Sequence, residues 1–148
     1  MTEFKHILVP TDFGESSNAA LELAIDLSKK YGSDLTLLHT YELPFYAYPG
    51  MVYTPADLLT PIQESAQAQC DAAIKALRER VPKAKVSLTF GVPGPEIQKA
   101  IEELHADLVV MGTHGRSGVS HALLGSVAEK TVRLSKVPVL TVRAAPAA

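Results

Sequence analysis

The sequence predicts one doubly wound α/β domain, a five-stranded parallel sheet with helices on both faces. Three observations predict it. Five strand-like runs alternate with four segments of helical periodicity, the order that produces parallel strands joined by right-handed crossovers. The first and fourth runs are apolar without alternation, as strands buried on both faces are. Finally, 148 residues with 47% apolar and 20% charged content suit a single core burying roughly 70% of the extended-chain surface.

The first strand is His6 to Val9, ending at Pro10. Ser16 and Ser17 are both able to cap the helix that follows, which carries Ala20, Leu23, Ala24 and Leu27 at helical spacing and stops at Lys29, Lys30 and Gly32. Asp34 to His39 forms the second strand. Tyr41 to Pro55 then holds four of the five tyrosines with Pro44, Pro49 and Gly50, a long aromatic loop without periodicity. A second helix runs from Ala56 through Ile62, Ala66, Cys70, Ala73 and Leu77 to Val81; Pro61 is tolerable only near its first turn, and Pro82 ends it.

Lys85 to Phe90 alternates polar with apolar, as an edge strand with one exposed face does. Gly94, Pro95 and Glu96 start a third helix whose apolar face is Ile97, Ala100, Ile101 and Leu104. Asp107 to Met111 is an interior strand. Leu124, Val127, Ala128, Thr131 and Leu134 mark the last helix, and Val137 to Val142 the last strand, placed at an edge by Pro138. The domain spans 1–143, and the small-residue tail 144–148 is expected to be disordered.

Composition narrows the function classes. A net charge of −2 with dispersed Lys and Arg gives no basic stripe for nucleic acid. One cysteine and five scattered histidines make neither a disulfide framework nor a zinc pattern. The N-terminal run lacks a signal peptide's basic region and length, and no stretch of about 20 apolar residues occurs. A cytoplasmic protein with no membrane partner is the expectation.

In a doubly wound sheet, ligands sit beyond the carboxyl ends of the strands where the strand order reverses. Two segments there carry chemistry: Pro10-Thr11-Asp12 after the first strand, and Gly112, Gly115 and Gly125-Ser126 after the fourth, spaced G-x2-G-x9-G-S. Glycines that reach positive φ let backbone N–H groups converge on a phosphate. The start of the last helix adds unpaired donors and about half a positive charge. Neither G-x4-G-K-[ST] nor a G-x-G-x-x-G after the first strand is present, so a Walker-type ATPase and a nicotinamide dehydrogenase are disfavoured. Taken alone, the glycines also fit a tight turn and a helix cap.

The opening I-L-V-P-T-D, the L-L-H at the second strand's end, D-L-V-V-M-G-T-H-G-R-S-G, L-L-G-S-V-A-E-K and the closing V-P-V-L-T-V together resemble the universal stress protein family over nearly the whole chain. The full glycine pattern is similar to the branch of that family that binds ATP. The resemblance implies a Rossmann-like sheet in the order 3-2-1-4-5 and a homodimer paired through the last strand, Val137 to Val142. It also implies an adenine nucleotide beside the first and fourth strands. By position, Asp12 and the backbone of Thr40 would face adenine, with Pro10 and Thr11 shaping the pocket. Met111 and Gly112 would lie along the ribose, and Gly115, Arg116, Gly125, Ser126 and Val127 would surround the phosphates. Mg²⁺ or Mn²⁺ would accompany those phosphates, and the ligand itself would be ATP, AMP or cyclic AMP.

Each residue also has a plainer role. Asp12 suits a helix cap, Arg116 and Lys130 suit solvated charges, and Cys70 suits a small buried hydrophobe. His114 and His121 lack an orienting carboxylate or thiol nearby in sequence and are given no catalytic or metal role. The tyrosine-rich segment fits packing over the sheet edge, or a lid over the base. The function implied is a nucleotide-dependent stress-response or signalling module with at most slow ATP hydrolysis. The alternatives are a dimeric scaffold with an empty pocket, or a nucleotidyl or phosphoryl transferase of similar fold, for which Asp12 and Arg116 are weak base and clamp candidates.

Overall fold

The computed structural model describes residues 3–42, 55–114 and 124–144. Residues 43–54 of the aromatic loop, the middle of the glycine-rich segment and, apart from Ala144, the tail expected to be disordered lie outside them; Tyr41, expected in that loop, instead extends the second strand beyond His39. In chain order the elements are β1 (His6–Thr11), α1 (Glu15–Tyr31), β2 (Asp34–Tyr41), α2 (Pro55–Arg80), β3 (Lys85–Phe90), α3 (Pro93–Glu103), β4 (Leu108–Gly112), α4 (Ser126–Leu134) and β5 (Val139–Val142). The five strands are parallel in the order β3-β2-β1-β4-β5.

Strand alternation sends successive side chains to opposite faces, and each face has its own core. Ile7, Val9, Leu35, Leu37, Leu108 and Val110 pack against Ala20, Ala24 and Ile25 of α1 and Leu77 of α2. On the other face Leu8, Leu38, Val109 and Met111 pack against Ile97, Ala100 and Ile101 of α3 and Ala128 of α4. β4 is buried along its whole length, which explains its unbroken apolar run. β3 and β5 are the edges, as expected, although Pro138 lies just before β5 rather than in it and the four inner residues of β3 are half-buried on both faces rather than exposed on one.

Several local expectations are corrected. β1 continues through Pro10 to Thr11. Its ladder to β4 ends at Leu8↔Val109 while its ladder to β2 runs to Thr11↔His39, so on the β4 side the proline's missing N–H removes no rung. The N-cap of α1 is Gly14, with no side-chain cap bond; Ser16 and Ser17 are buried in the first helical turn, and the Ser17 hydroxyl is committed to Asp12. Pro61 lies inside α2, beyond its first turn, where one rung of the helical ladder is missing. α3 starts at Pro93 after the N-cap Val92, since proline suits a first helical position. Leu124 and Leu134 are exposed rather than on the buried face of α4, where Ala128 and Thr131 lie. β5 begins after Pro138, whose carbonyl accepts from the Val109 N–H at 3.0 Å. At the end of α1, Gly32 takes the predicted left-handed conformation, φ 67°, and its N–H returns to the Ser28 carbonyl.

Candidate functional site

Connections from β1 and β4 leave in opposite directions, and the two strands pair only through Ile7 and Leu8. Beyond that pairing the order of strands reverses, which is the place where ligands of this architecture sit. Pro10, Thr11 and Asp12 form one wall, and Met111, Gly112 and Thr113 the other.

On the β1 side a tight turn is built from side chains. Asp12 Oδ1 accepts from the Gly14 N–H at 2.8 Å and from the Ser17 hydroxyl at 2.8 Å, so the carboxylate ties the loop to the first turn of α1. The Phe13 N–H donates to Thr11 Oγ1 at 2.9 Å. Phe13 has φ 62°, a conformation that costs a bulky residue about 1–3 kcal/mol and that persists where surroundings over-determine it. Here they do: its ring lies 4.6 Å from the His39 ring, and His39 Nδ1 is 2.8 Å from the Thr11 carbonyl oxygen, which makes that nitrogen the donor.

On the β4 side the glycine-rich segment works differently from the expectation. Neither Gly112 nor Gly125 has positive φ. Gly112 is glycine because α1 crosses directly over it: a Cβ there would sit 2.5 Å from Ser16 Cβ, 2.6 Å from the Ser16 carbonyl carbon and 2.8 Å from the Ser17 nitrogen. Gly125 is the N-cap of α4 in extended conformation, without a side-chain cap bond, and its N–H donates to the Thr113 carbonyl at 2.7 Å. Thr113 is buried, and its N–H donates to the Val142 carbonyl at 2.9 Å. The mouth of α4 is thereby anchored to the exit of β4, with the Ser126, Val127 and Ala128 amides ahead of the helical ladder. Glu129, the acid of that first turn, is paired with Arg133 at 3.1 Å.

The structure therefore places Pro10, Thr11 and Asp12 at the carboxyl end of β1, Met111 and Gly112 at that of the neighbouring β4, and Gly125, Ser126 and Val127 at the start of α4, with Thr40 one strand away on β2. Gly115, Arg116 and His121 lie outside the described residues. Sequence reasoning missed Ser17 and Phe13, whose roles depend on a turn no periodicity reveals. It also missed Thr89: its Oγ1 is buried without a hydrogen-bond partner, as is His114 Nε2, although His114 Nδ1 lies 2.9 Å from Thr113 Oγ1. Leaving such a group unpaired costs about 1–3 kcal/mol. The K-V-S-L-T-F alternation places Thr89 on the face opposite Val86, the one hint the sequence holds.

Away from the crevice, a cavity of about 340 Å³ lies between α2 and β3, lined by Gln67, Cys70, Asp71, Ile74, Arg78, Val86 and Leu88. Burial pushes the Cys70 thiol up, and the neighbouring Asp71 charge adds to this, so both disfavour the reactive thiolate. Among the described residues no helix is long and apolar enough to cross a membrane. No group of three or more His, Cys, Asp or Glu side chains there gathers to hold a metal.

Comparison with known proteins follows the same lines. Residues 3–143 match the model of the universal stress protein family. The chain is 33% identical over 143 residues to universal stress protein MJ0531 of Methanocaldococcus jannaschii, covering 95% of this chain and 82% of that protein. The solved structure of MJ0577, from the same organism, superposes with a TM-score of 0.80 at 25% identity, over 99% of this chain and 100% of that one. A universal stress protein solved in complex with cAMP gives a TM-score of 0.73 at 23% identity, over 97% and 100%.

Proposed function

We propose, starting from the fact that this chain belongs to the universal stress protein family, that it holds an adenine nucleotide, ATP foremost, in the crevice between β1 and β4. One observation carries the reading. Among the described residues no side chain caps the mouth of α4, which is pinned to the exit of β4 through Gly125 and Thr113, so backbone donors and the positive end of a helix dipole face the place where a phosphate chain would enter. Asp12 and the backbone of Thr40 take the base, Pro10 and Thr11 its surroundings, Met111 and Gly112 the ribose. Gly115, Arg116, Ser126 and Val127 take the phosphates. The family member crystallised with cAMP supports an adenine nucleotide as the ligand class.

The donor set of the described wall, amides and hydroxyls with one carboxylate, fits an anion better than a bare cation. Mg²⁺ or Mn²⁺ is accordingly held through the phosphates, where it supplies charge neutralisation. The committed hydrogen bonds of Asp12 suit a nucleotide holder with at most slow hydrolysis, acting in the cytoplasm as a nucleotide-dependent stress-response or signalling module. Its copies pair through Val137 to Val142, where Leu140 is exposed on the free edge.

Thermal unfolding with and without Mg-ATP tests this. At 100 times its Kd, a ligand adds about 2.7 kcal/mol, a Tm rise of roughly 5–11 °C for a domain this size. No shift with millimolar Mg-ATP, AMP or cyclic AMP refutes it. Chromatographic product counting over hours separates a holder from an enzyme.

A further inference from the structure

The β1, β2 and β3 registers place four site-facing residues at two levels. Leu8 pairs with Val109, and Pro10 with Leu38; Leu8, Leu38, Val109 and Met111 all belong to the core beneath α3 and α4. Alternation therefore puts Pro10 and Met111 on that same face, one on each side of the point where the two strands stop pairing. Thr40 lies two residues beyond Leu38 and pairs with Thr89, so the two threonines share the same face one pleat nearer the carboxyl edge. Strand spacing of about 4.8 Å and a rise of about 3.3 Å per residue give a step of molecular size. Pro10 and Met111 form an apolar floor, and Thr40 and Thr89 a polar wall along its β2–β3 side. That wall contains the Thr89 hydroxyl, buried and without a partner. In folded proteins a buried hydroxyl is ordinarily satisfied, and this one lies one strand beyond Thr40, whose backbone is proposed to meet the base.

We infer that Thr89 determines base specificity at this site: its hydroxyl accepts a hydrogen bond from the exocyclic 6-amino group of adenine when the base reaches across Pro10 to Thr40, one strand from Thr89. This deepens the nucleotide reading above and rests on it. The hydroxyl suits that partner because oxygen accepts from N–H at ordinary hydrogen-bond length, and the ligand completes what the fold leaves open. Thr40 sets the height of the wall, and Thr89 reads the group that projects past it.

The experiment is a chemical double-mutant cycle on the full chain. Binding of ATP and of purine riboside 5′-triphosphate, which lacks the 6-amino group, is measured by calorimetry for the unaltered protein, Thr89→Val and Thr89→Ser. The unaltered protein should prefer ATP by about 10-fold, Thr89→Val should lose about 10-fold for ATP and little for the analogue, and Thr89→Ser should retain the preference. Ligand-free Thr89→Val should melt at or above the unaltered protein, because it removes an unpaired buried hydroxyl without opening a cavity. A purely structural Thr89 gives that melting result with equal losses, or none, for both ligands, and overturns the inference while the nucleotide site stands. Failure of the unaltered protein to bind either ligand overturns the site and the inference together. Should Thr89→Val fail to fold, equal affinity of the unaltered protein for the two ligands still overturns it.

Discussion

Replacing Gly112 by alanine separates close packing from chain flexibility as the reason for a glycine at the exit of β4. The added Cβ meets Ser16 Cβ at 2.5 Å and two backbone atoms of α1 at 2.6 and 2.8 Å. That is roughly 1 Å short of ordinary carbon–carbon contact. Backbone cannot swing aside as a side-chain tip does, so the first turn of α1 must lift from the sheet, and Ser17, bonded to Asp12 at 2.8 Å, must move with it. Overpacking of this kind costs typically 1–3 kcal/mol; with backbone as the obstacle about 3 kcal/mol is expected, a Tm fall of roughly 6–12 °C at about 2–4 °C per kcal/mol. Gly125→Ala is the control. Its φ of −61° and ψ of 159° suit any residue, and losing a glycine N-cap costs at most about 1 kcal/mol. Both are measured by thermal and urea unfolding without nucleotide. A Gly112→Ala protein melting within 2 °C of the parent would refute the steric account and return Gly112 to the role of a flexible hinge.

Two other perturbations test the framework of the site. Asp12→Ala strands the Gly14 amide and the Ser17 hydroxyl and should lower stability by about 2 kcal/mol in urea unfolding, whereas Asp12→Asn keeps an oxygen for both donors and should lose less than half as much. Between α1 and α2, Arg80 holds Glu22 through two bonds of 2.7 and 2.8 Å, and this hydrogen bonding first, then the Arg80 charge, lowers the Glu22 pKa. A lowered carboxyl pKa stabilises the fold above the ordinary glutamate range, near pH 4.3, and that stabilisation disappears as pH falls through the lower folded value. Arg80→Met should therefore show a small Tm deficit at pH 7, since both side chains are largely exposed, and none in strong acid; a deficit that persists there would assign the effect to packing instead.

The fold was legible because its signals are collective. Leu8 and Val9 fall in an apolar run, Ala20 and Ala24 recur at helical spacing, and one misplaced boundary does not alter the alternation of strand and helix. Sheet order was readable only through family resemblance, since nothing local to His6–Thr11 says that β4 rather than β3 lies beside it. Caps and turns were misread where side chains compete for one partner: Ser17 looks like a cap, but Asp12 takes its hydroxyl. Strain was invisible, because Phe13 at φ 62° is held by contacts with Thr11 and His39, the latter 26 residues away in sequence. Thr89 was hidden by its edge strand, whose alternation tells which side chains share a face but not which hydroxyl lacks a partner.

The glycine-rich segment shows how one sequence signal can serve a purpose other than the one read from it. The pattern was read as flexibility that lets amides turn toward phosphate. In the structure the two described glycines supply two different things: at Gly112 the absence of a Cβ admits α1, and at Gly125 it leaves the N-cap position of α4 without a side chain of its own. Both act on one chain of contacts, from Asp12 to Ser17, from the α1 backbone at Ser16 and Ser17 to Gly112, and through Thr113 to Gly125. The two walls of the crevice are thus mechanically joined through the start of α1. A ligand drawing Asp12 toward a base would load the same contacts that position the α4 amides, so substitutions at Ser17, which touches no part of the proposed nucleotide, should alter affinity for base and phosphate together.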